Sequence, residues 1–75
     1  MEELLAYIAR NLVDHPDEVD VKRVEGANAI ILELRVNQED MGKVIGKQGR
    51  IAKAIRTVVK TASAKEDKKY VVEII

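Results

Sequence analysis

The sequence predicts an α+β fold in which a three-stranded sheet carries helices packed on one face. Three patterns support it. Leu4, Leu5, Ile8 and Leu12 recur at helical spacing near the start, and Ile51, Ile55, Val58, Val59 and Ala62 do so later. Between them, Ile30, Leu32, Leu34 and Val36 alternate strictly with other residues, as a half-buried strand requires.

Taken in order, residues 2–14 read as the first helix, with Glu2 and Glu3 at the positive end of its dipole. Pro16 stops it, because the residue before a proline disfavours helical geometry. VDVKRVEG follows as a strand with Val19 and Val21 on one face; Val24 breaks the alternation, and a bulge or a shortened strand is expected there. EGAN is a turn in which Gly26 and Asn28 tolerate positive φ, and AIILELRV is the second strand, so the two form an antiparallel hairpin. Asn37 reads as an N-cap with Asp40 three positions on in a box-like arrangement. A short helix then runs from about Gln38 to Ile45, and a longer one from about Arg50 to Ala64. On the longer helix Lys53, Arg56 and Lys60 lie opposite the apolar stripe. KEDKK is a charged connector, and YVVEII closes the chain as a strand. The order is α-β-β-α-α-β.

A chain of 75 residues has room for one core, expected to span residues 1–75, and buries only about 60% of its unfolded surface. Its 47% apolar and 35% charged residues suit a folded globular domain rather than a disordered tail. Without cysteine there is neither a disulfide framework nor a thiolate metal site. No apolar run approaches the roughly 20 residues of a membrane helix. MEELLAYIAR is acidic and amphipathic, which is wrong for a secretory signal, so a cytoplasmic location is expected.

The net charge of zero hides a strong segregation. Residues 41–65 carry seven bases and no acid, while the other residues carry all thirteen acids and six bases, giving +7 against −7. Such a division points to an anionic partner on one face. At its centre lies MGKVIGKQGRIAKAIR, residues 41–56, with three of the four glycines. Gly46 and Gly49 suit a helix end and the turn that starts the next helix, and a Gly-x-x-Gly pattern alone demands nothing more. Two further features point to a ligand. Arg50 and Lys53 sit in a first helical turn, where cations oppose the dipole unless an external anion binds the N–H groups. Lys43, Lys47, Arg50 and Lys53 cluster at that same point and describe a phosphate clamp. It is not a Walker loop: GKVIGKQ has three residues between its glycines rather than four, and Gln48 stands where Ser or Thr is needed.

VIGKQGR, set between two short helices and preceded by a strand, resembles the GxxG signature of the KH domain, and the α-β-β-α-α-β order resembles its type II arrangement. LVDHPDEV with EDMGKVIGKQGRIAKAIR is similar to the small bacterial single-KH proteins of the KhpA family, and the resemblance covers the whole chain. It implies binding of single-stranded RNA, with Gly46, Lys47, Gln48 and Gly49 clamping about four nucleotides by their backbone. Val44, Ile45 and Ile51 would line an aliphatic groove under the bases. The resemblance further implies an RNA chaperone, linked to cell length and envelope control, that forms a homodimer or pairs with a larger KhpB-type KH protein.

No catalytic or metal-binding set emerges, and no cofactor is implied. His15, the only histidine, reads as a surface or helix-end residue; Glu39 and Asp40 read as helix-capping acids; Arg56 and Lys60 as a solvated face; Tyr70 as packing. Two other functions stay open on the residues alone. One is a helix-hairpin-helix grip on duplex DNA, which also uses a glycine turn between short helices. The other is a protein-interaction subunit whose basic face meets an acidic partner.

Overall fold

A computed structural model describes residues 1–75. It contains α1 (Glu2–Arg10), β1 (Asp20–Glu25), β2 (Ala29–Arg35), α2 (Met41–Ile45), α3 (Arg50–Ala62) and β3 (Lys69–Ile74). Short 3-10 turns lie at Pro16–Glu18, Gln38–Asp40 and Lys47–Gly49. The sheet order is β1-β2-β3. β1 is antiparallel to β2, as a hairpin must be, and β3 runs parallel to β2. A parallel pair needs a long crossover, and α2 with α3 supplies it. None of the helices is long and apolar enough to cross a membrane.

Leu32 and Leu34 of the central strand are fully buried, and Ile30 nearly so. They face Leu5 and Ala9 of α1, Val44 of α2, and Ile55 and Val59 of α3, with Val72 beside them on β3. This is the α+β arrangement that the alternation in AIILELRV requires. The turn between the strands is closed by the Gly26 N–H donating to the Ala29 carbonyl at 2.8 Å. Neither Gly26 nor Asn28 uses positive φ there.

Three local expectations change. α1 ends at Arg10 rather than near Asp14. The Asn11 side chain turns back to donate to the Tyr7 carbonyl at 2.7 Å, and the Asp14 and His15 amides are drawn to a carboxylate elsewhere. β1 has no bulge: its register against β2 is continuous from Asp20↔Arg35 to Glu25↔Ile30. Arg23 takes the core-side position instead of an apolar residue. Its guanidinium lies 5.8 Å from the centre of the Tyr70 ring and reaches out to Glu2 and Glu25 at 3.2 and 3.1 Å. Val24 therefore falls on the opposite, exposed side of the strand. Finally, the buried face of α3 is Ala52, Ile55 and Val59, continued by Ser63. Val58 is 44% exposed and Ala62 faces solvent. The buried Ser63 hydroxyl is satisfied by donating to the Val59 carbonyl at 2.7 Å.

Ile55→Ala should therefore cost about 2–5 kcal/mol of stability, the usual range for emptying a buried aliphatic site. Val58→Ala, three residues along, should stay within about 0.5 kcal/mol. Urea denaturation of both variants checks the assignment of the face.

Candidate functional site

The chain reverses between α2 and α3 through Gly46-Lys47-Gln48-Gly49, and the backbone explains the glycines. Gly46 has φ 75° and ψ 173°, a region open in practice only to glycine. A Cβ there would also lie 2.6 Å from Cγ1 of Ile51. Gly49 is left-handed at φ 71° and ψ 17°, but a Cβ on it would meet nothing within 4 Å. Gln48 is left-handed as well, at φ 57° and ψ 24°, which costs a side-chain-bearing residue about 1–2 kcal/mol. Lys47 and Gln48 consequently stand exposed at the tip.

Internal bonds close the loop. Gly46 N–H donates to Gly42 O at 2.8 Å, and Gly49 N–H to Gly46 O at 3.2 Å. The Arg50 N–H donates to Lys47 O. The Gly49 and Arg50 amides are thus already engaged within the loop. Lys47, Arg50 and Lys53 are all exposed, and none forms an ion pair. The Arg50 guanidinium donates to Gln48 Oε1 at 3.4 Å and makes no other side-chain hydrogen bond.

Two of the expected site residues sit differently. Val44 is fully buried among Leu32, Leu34 and Ile55. Its side chain packs under the site and does not line a groove. Ile45, 37% exposed, and the partly buried Ile51 do present apolar surface beside the loop. Lys43 is not a free cation: its ammonium pairs with the Asp14 carboxylate and lies 3.9 Å from Asp40 Oδ1. That partnership pushes the Lys43 ammonium above its usual range. Arg56, read as solvated, donates from Nε to the Val72 carbonyl of β3 at 3.3 Å. Lys60 remains exposed.

The capping expectation holds for Asn37, whose Oδ1 accepts the Glu39 N–H at 2.8 Å. It fails for Asp40. That side chain is 1% exposed and turns away from its own helix. Oδ1 accepts the Asp14 N–H at 3.1 Å, and Oδ2 accepts the His15 N–H at 3.0 Å and meets His15 Nδ1 at 2.9 Å. Burial alone raises a carboxyl pKa, but here the bonds from Asp14 and His15 outweigh it and hold Asp40 below its ordinary value of 3.8. The same contact holds His15 above its ordinary 6.5.

Gly46→Ala should cost about 3 kcal/mol or more, since forbidden geometry and the Ile51 overlap add. Gly49→Ala should cost only about 1–2 kcal/mol. Thermal melts of the two variants side by side test this asymmetry. A raised histidine pKa stabilises the fold below the unfolded value near 6.5, and that contribution fades as pH rises through the folded value. The advantage of the wild type over His15→Asn should therefore be larger at about pH 5.5 than at about pH 8.5 in denaturant titrations.

The family model described as "KhpA/KhpB, KH domain" matches residues 2–74. The chain is 68% identical over 75 residues to the RNA-binding protein KhpA of Clostridium acetobutylicum, covering 100% of both chains. It is 61% identical over 75 residues to the RNA-binding protein KhpA of Caldanaerobacter subterraneus, again covering 100% of both. With the protein of that name from Treponema pallidum it shares 54% over 74 residues, 99% of this chain and 92% of the relative. The three-stranded mixed sheet with its helices is consistent with the type II KH fold, and the chain belongs to the KhpA/KhpB family of KH domains.

Proposed function

We propose that this chain binds single-stranded RNA without catalysis and that the Gly46–Gly49 loop clamps the sugar–phosphate backbone of about four nucleotides. One observation carries the loop assignment: three unpaired cations, Lys47, Arg50 and Lys53, gather at a reversal where a Cβ on Gly49 would meet nothing within 4 Å. The family membership and the relatives named as RNA-binding proteins support the choice of ligand. In this reading Lys47 and Arg50 meet phosphates, Gln48 supplies an amide at the tip, Gly49 allows the strand close approach, and Gly46 holds the reversal against Ile51. Ile45 and Ile51 give an apolar floor for bases. Lys43 joins only by exchanging its Asp14 carboxylate for a phosphate. The paucity of aromatic residues, 3% of the chain, fits aliphatic contact with bases rather than stacking.

A single module with so small a footprint binds weakly, and dimerisation raises effective affinity. The reading therefore includes a homodimer, or a heterodimer with a larger KhpB-type protein, acting in the cytoplasm as an RNA chaperone. The duplex-DNA alternative loses its support, because the glycine turn here belongs to a KH fold rather than a helix-hairpin-helix. A protein partner for the basic face is the outcome to expect if RNA fails to bind.

Replacing Lys47 and Gln48 together by Asp should abolish binding of a short unstructured RNA in anisotropy titrations while leaving the thermal melt close to wild type. Two carboxylates then face the phosphates, and no core contact is lost. Wild-type-like affinity in the folded double variant removes the loop from the interface. With about four phosphates neutralised at about −0.7 each, log K should fall against log salt with a slope of roughly −3. A slope near zero excludes the basic segment as the contact surface. Charge reversal at Lys60 should matter less than at Lys47 or Arg50.

A further inference from the structure

α2 is only five residues long, too short to hold its own direction. Buried side chains at both ends anchor it, with the partly buried Met41 packed against the core between them. Val44 is buried in the core near its end, and Asp40 is buried immediately before its start. A buried carboxylate is a costly choice for an anchor, since apolar packing of similar volume serves stability at least as well. What it provides is direction. Both oxygens are engaged by consecutive N–H groups and a ring of a segment 25 and 26 residues away, between α1 and β1. Lys43, one turn along α2, pairs with Asp14 of the same segment. Loss of the Asp40 bonds, six residues before Gly46, removes the two backbone donors and the ring that fix the start of α2.

We propose that Asp40 is a positioning residue for RNA binding, through which the Asp14–His15 segment sets how the Gly46–Gly49 loop meets phosphates without touching RNA itself. The proposal rests on the loop reading above. A loop contacting a strand at several points must be held to a fraction of an ångström, and here the holding group lies outside the contact surface.

The charges around the latch make the role measurable. Asp40 is faced by His15 from the α1–β1 segment and by Lys43 from α2, with Asp14 behind Lys43. Glu18 and Glu39 add to the negative field at His15. His15 is the only histidine, so it is the one side chain whose ordinary range falls between about pH 6 and 8. When protonated it strengthens the Asp40 contact. A protonated histidine would also attract RNA by its charge alone, but that attraction does not require Asp40, and the two effects separate in the Asp40→Asn variant.

The test is anisotropy titration of a short, unstructured, labelled RNA at about pH 6 and about pH 8. It uses the full chain as wild type, Asp40→Asn, His15→Asn, and the Lys47→Asp/Gln48→Asp control, each below its melting transition. Wild type should bind more tightly at the lower pH. Asp40→Asn should bind roughly two- to thirty-fold more weakly at both, the range for variants that act through a coupled network. Its pH dependence should vanish although His15 still titrates. His15→Asn keeps a neutral donor for Asp40, so it should bind with a flat profile near the wild-type level of the higher pH. Wild-type affinity in folded Asp40→Asn overturns the proposal. So does a pH dependence that survives in Asp40→Asn, which reduces the effect to simple charge attraction, or one that survives in His15→Asn. If the loop control binds RNA like wild type, the loop reading fails and takes this one with it. If only the control loses binding, the loop stands and the positioning role alone is wrong.

Discussion

The close approach of Ile51 to the backbone of Gly46 is the constraint on which the rest of the site depends. A Cβ at residue 46 would lie 2.6 Å from Ile51, so the reversal between α2 and α3 exists in this form only because nothing is there. The consequences run in two directions. Inward, the tight reversal lets Val44 and Ile55 from two helices share one core with Leu32 and Leu34. Outward, it leaves Lys47 and Gln48 at the apex with no packing role. The left-handed Gln48 adds strain at that apex, and strain of this kind is kept where the surrounding structure over-determines it, often at sites of function. The same geometry that makes the core compact makes the tip available.

Charge follows the same division. The acids outside residues 41–65 are partly spent on structure: Glu2 and Glu25 hold Arg23, Asp14 holds Lys43, and Asp40 holds His15. The bases beyond Lys43 in the glycine-containing segment have no carboxylate partners. A zero net charge therefore coexists with a concentrated positive surface, which attracts a polyanion while the remaining acidic surface disfavours non-specific wrapping. Lys43 marks the border between the two regimes, basic by sequence position and structural by contact.

Much of this was legible in the residues. Ile30, Leu32, Leu34 and Val36 announced the central strand because period-two alternation has few other causes, and Gly46 and Gly49 announced the reversal. What stayed hidden was whatever depends on partners distant in sequence. Asp40 looks like a capping acid because its neighbours are helical, and nothing local reveals that its donors lie at Asp14 and His15. Val44 looks like a groove residue until the core is assembled around it. Val58 outranks Ala52 by size in any apolar stripe, yet Ala52 is the buried one, three and seven residues before Ile55 and Val59 on the inward face of α3. Gln48 gives no hint of positive φ, since glutamine does not favour it.

The central claim is that RNA meets the Gly46–Gly49 reversal and the cations beside it. The most direct measurement is a nitrogen-15 amide titration of the labelled chain with a short single-stranded RNA. The largest shifts should fall on residues 45–53, with smaller ones at Asp14 and His15, while Lys22, Glu33 and Glu73 on the outer face of the sheet stay still. Shifts concentrated on that outer face or on α1, with the loop amides unmoved, would contradict the account.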